Sequence, residues 1–465
     1  MNADQGGRTK GAAQLLSILG LGFGLAGAVG GSIGAGILRT PGLVAAQLGT
    51  PPLVMAAWAL GGLYVLMGAI AVAELGAALP STGGWTVYAR RALGDQAGFA
   101  VGWIDWLGHC AGLAWVAVTI ADYTHSLFPA ITLSSSAIAL VVLLVFGLIQ
   151  LAGLQAGSLS QQLLSLVKAL AFVALIAACF LLAPAHGASG GDVGAWWAGS
   201  KPFEGFAALA LAAVLALQAV ITTYDGWQSP IYFAEEFSEP ERDLPRSLIG
   251  GTLVVIVLVL LVNLALLRVL PMGALAGSSL PLANAAEILL GPIGGQVILV
   301  LALICSLGLV NTSIMCAPRI LYGLSRDGLF LPLFHQAGAN GTPVNALAAT
   351  TLLSGLLVLV ADFDRLLGVA SLLYVLLYLL GMTCLVVLRW KEPALPRPFL
   401  VPGTLLGAAV VGLGSFGYLA GAVLKDTPNS LLALALIALS LPLHWAKRAW
   451  RQQQLNGAQS SEQLP

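Results

Sequence analysis

The sequence has 465 residues, of which 58% are apolar and only 9% charged, against roughly a quarter charged in an ordinary soluble domain. A mean hydropathy of +0.92 excludes a soluble globule, which could not cover its surface with so few charges, and a disordered chain, which needs the opposite bias. Lys plus Arg and Asp plus Glu balance at 20 each, so no basic excess points to nucleic acid as a partner. What remains is an all-α integral membrane protein whose main partner is the lipid bilayer. Its 56 glycines are too many for plain Leu-rich spans.

A hydrocarbon core about 30 Å thick takes about 20 apolar residues as helix. Twelve stretches qualify: 15–48, 52–79, 97–128, 136–153, 158–183, 206–235, 247–270, 291–323, 343–361, 365–389, 403–424 and 428–446. Ala26 and Ala28 after Arg8 and Lys10 superficially resemble a signal-peptide cleavage site, but further spans follow with no hydrophilic mature domain, so the first helix is expected to be retained. The organisation expected is a tail at 1–14, a ten-span core over 15–389 in halves 15–183 and 206–389, peripheral spans within 390–448, and a tail at 449–465. With the N-terminus in the cytoplasm, 14 Lys and Arg fall on that side and five outside (Arg39, Lys201, Arg268, Arg365 and Lys425), with Lys168 inside a span. The positive-inside rule then puts both termini in the cytoplasm of a multi-pass cell-membrane protein. Cys110, Cys179, Cys305, Cys316 and Cys384 all lie in apolar stretches without metal or redox spacing and read as small apolar residues.

Two spans are interrupted. The first carries Gly30-Gly31-Ser32-Ile33-Gly34-Ala35-Gly36, and the sixth carries Thr222-Thr223-Tyr224-Asp225-Gly226-Trp227-Gln228-Ser229-Pro230. Unwound backbone at membrane depth survives only beside protein or a polar cavity, and paired interruptions in the two halves of a chain point to a transporter site. In the first break, small residues leave N–H groups uncovered at the start of a half-helix, which suits a carboxylate. Close helix packing by small residues is the alternative. Asp225 lies near mid-span, where a carboxylate is expensive unless functional or paired. Attracting an ammonium group, binding a proton and accepting from freed backbone N–H groups are all open to it.

Four motifs in order resemble the amino acid–polyamine–organocation transporter family, over about Gly30 to Pro402. They are Gly31-Ser32-Ile33-Gly34-Ala35-Gly36-Ile37; Pro80-Ser81-Thr82-Gly83-Gly84 with Gly102-Trp103; Tyr224-Asp225-Gly226-Trp227 followed by Glu235-Glu236 and Pro240 to Arg246; and Pro318-Arg319 with Ser325-Arg326-Asp327-Gly328. Within it the chain is most similar to bacterial permeases of the basic and L-type amino acid kind. The resemblance implies a leucine-transporter-like fold of 12 transmembrane helices, a five-plus-five inverted repeat with two peripheral helices. It implies that first-span amides, matching Ala35 and Gly36, take a substrate carboxylate, while carbonyls near Ser32 and around Tyr224 and Asp225 take its α-ammonium. Asn311 resembles a polar position lining the family's central cavity. Thr222 stands where the family often has a bulky aromatic gate, which leaves side-chain specificity open.

Lys168 lies mid-span in the fifth stretch. A central lysine costs about 2.5–3.5 kcal/mol on insertion scales, so carbonyls of the unwound first span or a carboxylate should offset it. The resemblance implies a role: a fifth-span lysine stands where sodium-coupled relatives hold sodium. Proton exchange is a second role, and a structural pin between helices a third. Glu74 is expected to reach the interface. Asp105 and His109, four residues apart, can meet on one helix face, as a satisfied hydrogen bond or a proton relay. The charged run Glu235–Arg246 reads as a solvated cytoplasmic loop with internal ion pairs, or as a latch on the inward gate.

No GxSxG, HExxH or Cys/His cluster supports a membrane-embedded enzyme. No selectivity-filter motif supports a channel. The reading is a secondary transporter with an amino acid as its small-molecule substrate, working by alternating access, sodium-independent, with no cofactor, and either coupled to protons as a further partner or an exchanger. An amine or polyamine carrier of the same fold is the alternative. The candidate binding residues are Ser32, Ile33, Gly34, Ala35, Gly36, Thr222, Tyr224, Asp225, Gly226, Trp227 and Asn311, with Lys168 as the coupling residue.

Overall fold

The computed structural model describes residues 15–34, 36–182, 205–361, 363–401 and 403–462. The expected tail at 1–14, Lys201 and Ala35 lie outside the described residues. The architecture is all-helical: α1 (Leu21–Ser32), α2 (Gly36–Leu48), α3 (Pro51–Ala78), α4 (Trp85–Leu93), α5 (Asp95–Leu127), α6 (Ser135–Leu151), α7 (Leu154–Leu182), α8 (Phe206–Tyr224), α9 (Pro240–Val269), α10 (Met272–Ala276), α11 (Pro281–Leu290), α12 (Ile293–Arg326), α13 (Val344–Val360), α14 (Phe363–Lys391), α15 (Thr404–Lys425) and α16 (Thr427–Glu462). Among the described residues, nine helices are long and apolar enough to cross a membrane, and ten if the bent pair α1 and α2 counts as one span. The chain is a multi-pass membrane protein. α6 and α13 fill two more of the expected stretches, but their 17 residues reach only about 25 Å at helical rise.

Helix ends follow local chemistry. Pro51, Pro240 and Pro281 open α3, α9 and α11, where a missing N–H costs nothing. Ser134 caps α6 by accepting from the Ala137 N–H at 3.2 Å. Three helices arise between the expected spans: α4, α10 and α11. The last two are too short for a span-length hydropathy signal, and α4 carries Arg90 and Arg91 in its last turn.

Packing is graded from centre to rim. In α5, 83% of the apolar window is buried, against 22% in α15 and 17% in α16. α5 is the hub for α6, α12, α13 and α14, while α9 lies along α1 and α3, and α8 along α2 and α3. α7 sits between α1, α9 and α12. Lipid tails are as apolar as leucine, so helices associate mainly through close packing. Gly24 on α1 meets Ser247 on α9, and Gly251 on α9 meets Ala28 on α1.

At the arginine-rich end, two expectations are corrected. Glu74 does not reach an interface; it is 1% exposed and receives Arg389 at 2.5 and 2.9 Å, with Arg397 at 3.4 Å. The run Glu235–Arg246 is not a solvated loop. Ser229–Glu236 is a 3₁₀ helix and α9 already begins at Pro240. Glu236 is fully buried and takes a bidentate pair from Arg319 on α12 at 2.5 and 2.8 Å. Glu235 pairs with Arg326. A carboxylate at such depth needs a cation, and here it comes from a helix more than 80 residues away. Only Arg242 with Glu239, at 2.7 Å, pairs within the run among the described residues.

Candidate functional site

The first span breaks after Ser32, and α2 leaves at 48° to α1. A helix that stops inside the protein exposes its last carbonyls, the negative end of its dipole. One face of α7 answers them. Gln161, Ser165 and Lys168 follow helical spacing, and so do their acceptors, Ala26 and Gly30 on α1 and Ile33 just past its end. Gln161 Nε2 and Ser165 Oγ donate to the Ala26 carbonyl at 3.1 and 2.8 Å. Lys168 Nζ donates to the Gly30 and Ile33 carbonyls at 2.9 Å each. Lys168 is fully buried, and Gly308 on α12 leaves room for its Cε and Nζ. The lysine is thus offset by carbonyls of the broken first span.

The second break supplies most of its own polar partners. α8 ends at Tyr224, and Gly226 turns the chain at φ +105°, a conformation that favours glycine. The Gly226 N–H donates to Gln228 Oε1 at 3.2 Å, and Ser229 Oγ donates to the Gly226 carbonyl at 2.6 Å. Gln228 Nε2 donates to Asp225 Oδ1 at 3.4 Å, and the Tyr378 hydroxyl of α14 donates to the same oxygen.

The two breaks touch. A Cβ on Gly226 would collide with the backbone of Gly31 and Ser32, and one on Gly31 with the Gly226 carbonyl. Beside them, Gly36 at the start of α2 faces Thr223 on α8. A Cβ there would meet Thr223 Oγ1 at 3.5 Å, an ordinary contact, so packing does not explain that glycine. Gly34 is tighter, with Leu309 of α12 at 3.3 Å from its would-be Cβ. Ser32 Oγ is buried without a hydrogen-bond partner among the described residues, although buried hydroxyls are normally paired.

A narrow cavity of about 20 Å³ lies against the second break, lined by Ile221, Thr222, Asp225, Ser371, Tyr374, Val375 and Tyr378. Of the residues singled out in the sequence, it gathers Thr222 and Asp225. Ser32, Ile33, Gly34 and Gly36 lie along the first break beside it, and Ala35 falls outside the described residues. Tyr224 turns away, donating its hydroxyl to the Trp58 carbonyl on α3 at 3.1 Å. Trp227 is buried, stacked on Tyr378 at 5.6 Å and against Gly68. Asn311 is saturated by protein: Oδ1 accepts from Gln150 at 3.0 Å and Ser160 at 3.1 Å, and Nδ2 donates to Gln161 at 2.8 Å. It ties α6, α7 and α12 together behind Lys168. Sequence reasoning missed Gln161, Ser165, Gln228, Tyr374 and Tyr378. A pair of tyrosines four apart in a leucine-rich span was the available signal for the last two. Among the described residues, no cluster of three or more His, Cys, Asp or Glu side chains is grouped to hold a metal ion.

Comparison with known proteins decides the family. The amino acid permease profile matches residues 14–441. The chain belongs to the amino acid permease family. It is 26% identical to the serine/threonine exchanger SteT of Bacillus subtilis, over 92% of this chain and 96% of that protein. It is 28% identical to the mouse large neutral amino acids transporter small subunit 2 (80% of this chain, 70% of that one) and 27% identical to the mouse Asc-type amino acid transporter 1 (80% and 70%). This permease is a transporter of amino acids rather than an enzyme.

Proposed function

We propose that this permease carries neutral amino acids by alternating access, with the substrate held where the two helix breaks meet. The observation that carries the reading is the junction itself. The N-terminal end of α2 is positive by its dipole, a buried Ser32 hydroxyl has no hydrogen-bond partner among the described residues, and Asp225 lines the adjoining cavity. The substrate carboxylate goes to the amides of Ala35 and Gly36, the Gly34 N–H being already bonded to the Ser32 carbonyl at 3.0 Å. Its ammonium goes to carbonyls near Ser32 and around Tyr224 and Asp225, and its side chain points toward Thr222 and Tyr374. Gly226 lets the breaks approach, Ile33 and Trp227 wall the junction, and Asn311 acts from behind by holding α7 and α12 in place. Neutral rather than basic substrates are favoured by the named relatives, a serine/threonine exchanger and a large neutral amino acid transporter.

Lys168 is the proposed coupling element. Its ammonium already occupies carbonyls that could otherwise ligate a sodium ion, so transport is sodium-independent. The twelve-span arrangement with inverted halves is supported by ten spans plus α6 and α13, and by breaks in the first and sixth positions. The lysine and arginine distribution puts both termini in the cytoplasm. On that orientation, Glu236–Arg319 and Glu235–Arg326 close the cytoplasmic side.

Radiolabelled L-serine, L-threonine and L-leucine uptake into proteoliposomes, in sodium and in potassium buffer, tests the reading. Uptake equal in both buffers is expected; sodium-driven accumulation overturns the lysine argument. Gly36→Val is expected to fold, because its Cβ has room beside Thr223, and to abolish uptake. Unimpaired uptake by that variant would remove the first break from the site. Thermal shifts by putrescine or spermidine with none by amino acids would favour an amine carrier.

A further inference from the structure

A second buried polar cluster lies outside the proposed binding junction. Asp105 and His109 sit one turn apart on α5, the innermost helix, at 0% and 6% exposure. His109 Nδ1 faces two acceptors, the Asp105 backbone carbonyl at 3.0 Å and the Asp105 Oδ1 at 3.2 Å. It must therefore carry a hydrogen. Asp105 Oδ1 also accepts from the Tyr232 hydroxyl at 3.0 Å. Asp105 Oδ2 is buried and has no hydrogen-bond partner among the described residues. An unmet carboxylate oxygen in the interior of a membrane protein is costly, and a proton is the smallest group that can satisfy it.

The surroundings give such a proton a route and a consequence. The His109 ring packs edge-on against Tyr374 at 5.4 Å, and Tyr374 lines the cavity that holds Asp225. Tyr232 belongs to the 3₁₀ helix Ser229–Glu236, the second half of the broken sixth span. The Asp105–Tyr232 hydrogen bond therefore joins α5 to the segment beyond the break. The titratable groups around the pair are Tyr232 from that segment, Cys316 from α12 with Arg319 nearby, Tyr374 and Tyr378 from α14, and Asp225 in the break. α6 and α13 contribute no titratable side chain. α4 directs Tyr88 to Trp85, and α16 meets α5 nearer its start, at Phe99 and Trp103.

We propose that Asp105 and His109 form a proton-binding site that couples proton movement to motion of the Ser229–Glu236 segment. One proton, added at Asp105 Oδ2, changes the charge of the pair from −1 to 0. Neutralising the carboxylate weakens the charge-assisted hydrogen bond from Tyr232 and frees the segment to leave α5. By linkage, separation of the segment favours proton uptake to the same degree. This inference rests on the transport reading and meets the proposed binding cavity at Tyr374, but it does not use Lys168.

The test uses the full chain in proteoliposomes with the same radiolabelled amino acids, with and without an inward pH gradient. Gradient-driven accumulation by the native protein, about tenfold over the ungraded control and abolished by a protonophore, is expected. In Asp105→Asn, that accumulation should collapse while substrate counterflow stays measurable. Tyr232→Phe should shift the pH midpoint of uptake, which a purely structural role would not do. Should Asp105→Asn not purify as a monodisperse species, His109→Gln carries the same comparison. Counterflow by the native protein that ignores the pH gradient, or gradient-driven accumulation retained in the carboxylate variant, overturns this inference and leaves the transport reading standing. Absence of counterflow for every amino acid would overturn the transport reading itself.

Discussion

The two helix breaks solve one physical problem in opposite ways. Each frees backbone groups where no water is available to bond them. The first has almost no side chains of its own to offer, since glycine, serine and alanine fill most of it, and it relies on α7 for a cation and two neutral donors. The second supplies its own polar side chains, Asp225, Gln228 and Ser229, and adds one tyrosine from α14. The first break therefore has room beside Gly36 but depends on three donors from a distant helix, Gln161, Ser165 and Lys168. The second is self-sufficient, and a close turn at Gly226 keeps it so. A site for a small zwitterion fits this division, with one wall of bare backbone and one of fixed side chains.

The largest expected effect comes where the two solutions meet. Gly226→Val puts a β-branched residue at positive φ, a strain of about 1–3 kcal/mol, and drives its Cβ into the Gly31 and Ser32 backbone, a further 1–3 kcal/mol or so. Both breaks should be disturbed. The expected outcome is little or no folded protein by size-exclusion chromatography; normal yield and thermal stability would mean that the breaks do not touch. Lys168→Met comes next and should separate them. Leaving the Gly30 and Ile33 carbonyls without a donor costs about 2–3 kcal/mol after allowing for the lysine's own desolvation. Amide hydrogen exchange should rise over 26–37 and stay unchanged over 222–232, with uptake lost. Equal loosening of both segments would erase the contrast.

The sequence made some of this legible for reasons that are local. Glycine runs, Pro230 and a mid-span Asp225 mark backbone that cannot continue as helix, so both breaks were readable, and a lone cation at Lys168 could only be tolerated against acceptors. What could not be read is direction and distance. Tyr224 belongs to the motif yet turns into α3, because α8 rotates that face toward Trp58. Asn311 was read as a cavity residue but has every polar atom taken by α6 and α7, which only the packed bundle decides. Glu74 was assigned to the interface because it lies near the end of its span, and Glu236 to water because its neighbours in sequence are charged, whereas their cations come from α14 and α12. α11 escaped because its ten residues are too few to carry a spanning signal.

The smallest effect probes the self-sufficiency of the second break. Tyr378→Phe removes the one partner borrowed from another helix, leaving Asp225 Oδ1 with Gln228 and leaving the Trp227 stacking surface intact. Loss of a hydrogen bond to a carboxylate that keeps another donor should cost about 1–2 kcal/mol, seen as a modest fall in melting temperature. Folding should survive, because Ser229 still holds the Gly226 carbonyl and Gln228 the Gly226 N–H after the Tyr378 hydroxyl, 3.2 Å from Gln228 Oε1, is gone. Substrate affinity should fall by more than stability alone accounts for, since Tyr378 and Asp225 both line the cavity and a freed carboxylate changes orientation there. A Tyr378→Phe protein with unchanged affinity would mean that the Asp225 position is set wholly within its own segment. A protein that fails to fold would mean that the second break borrows as much from its neighbours as the first.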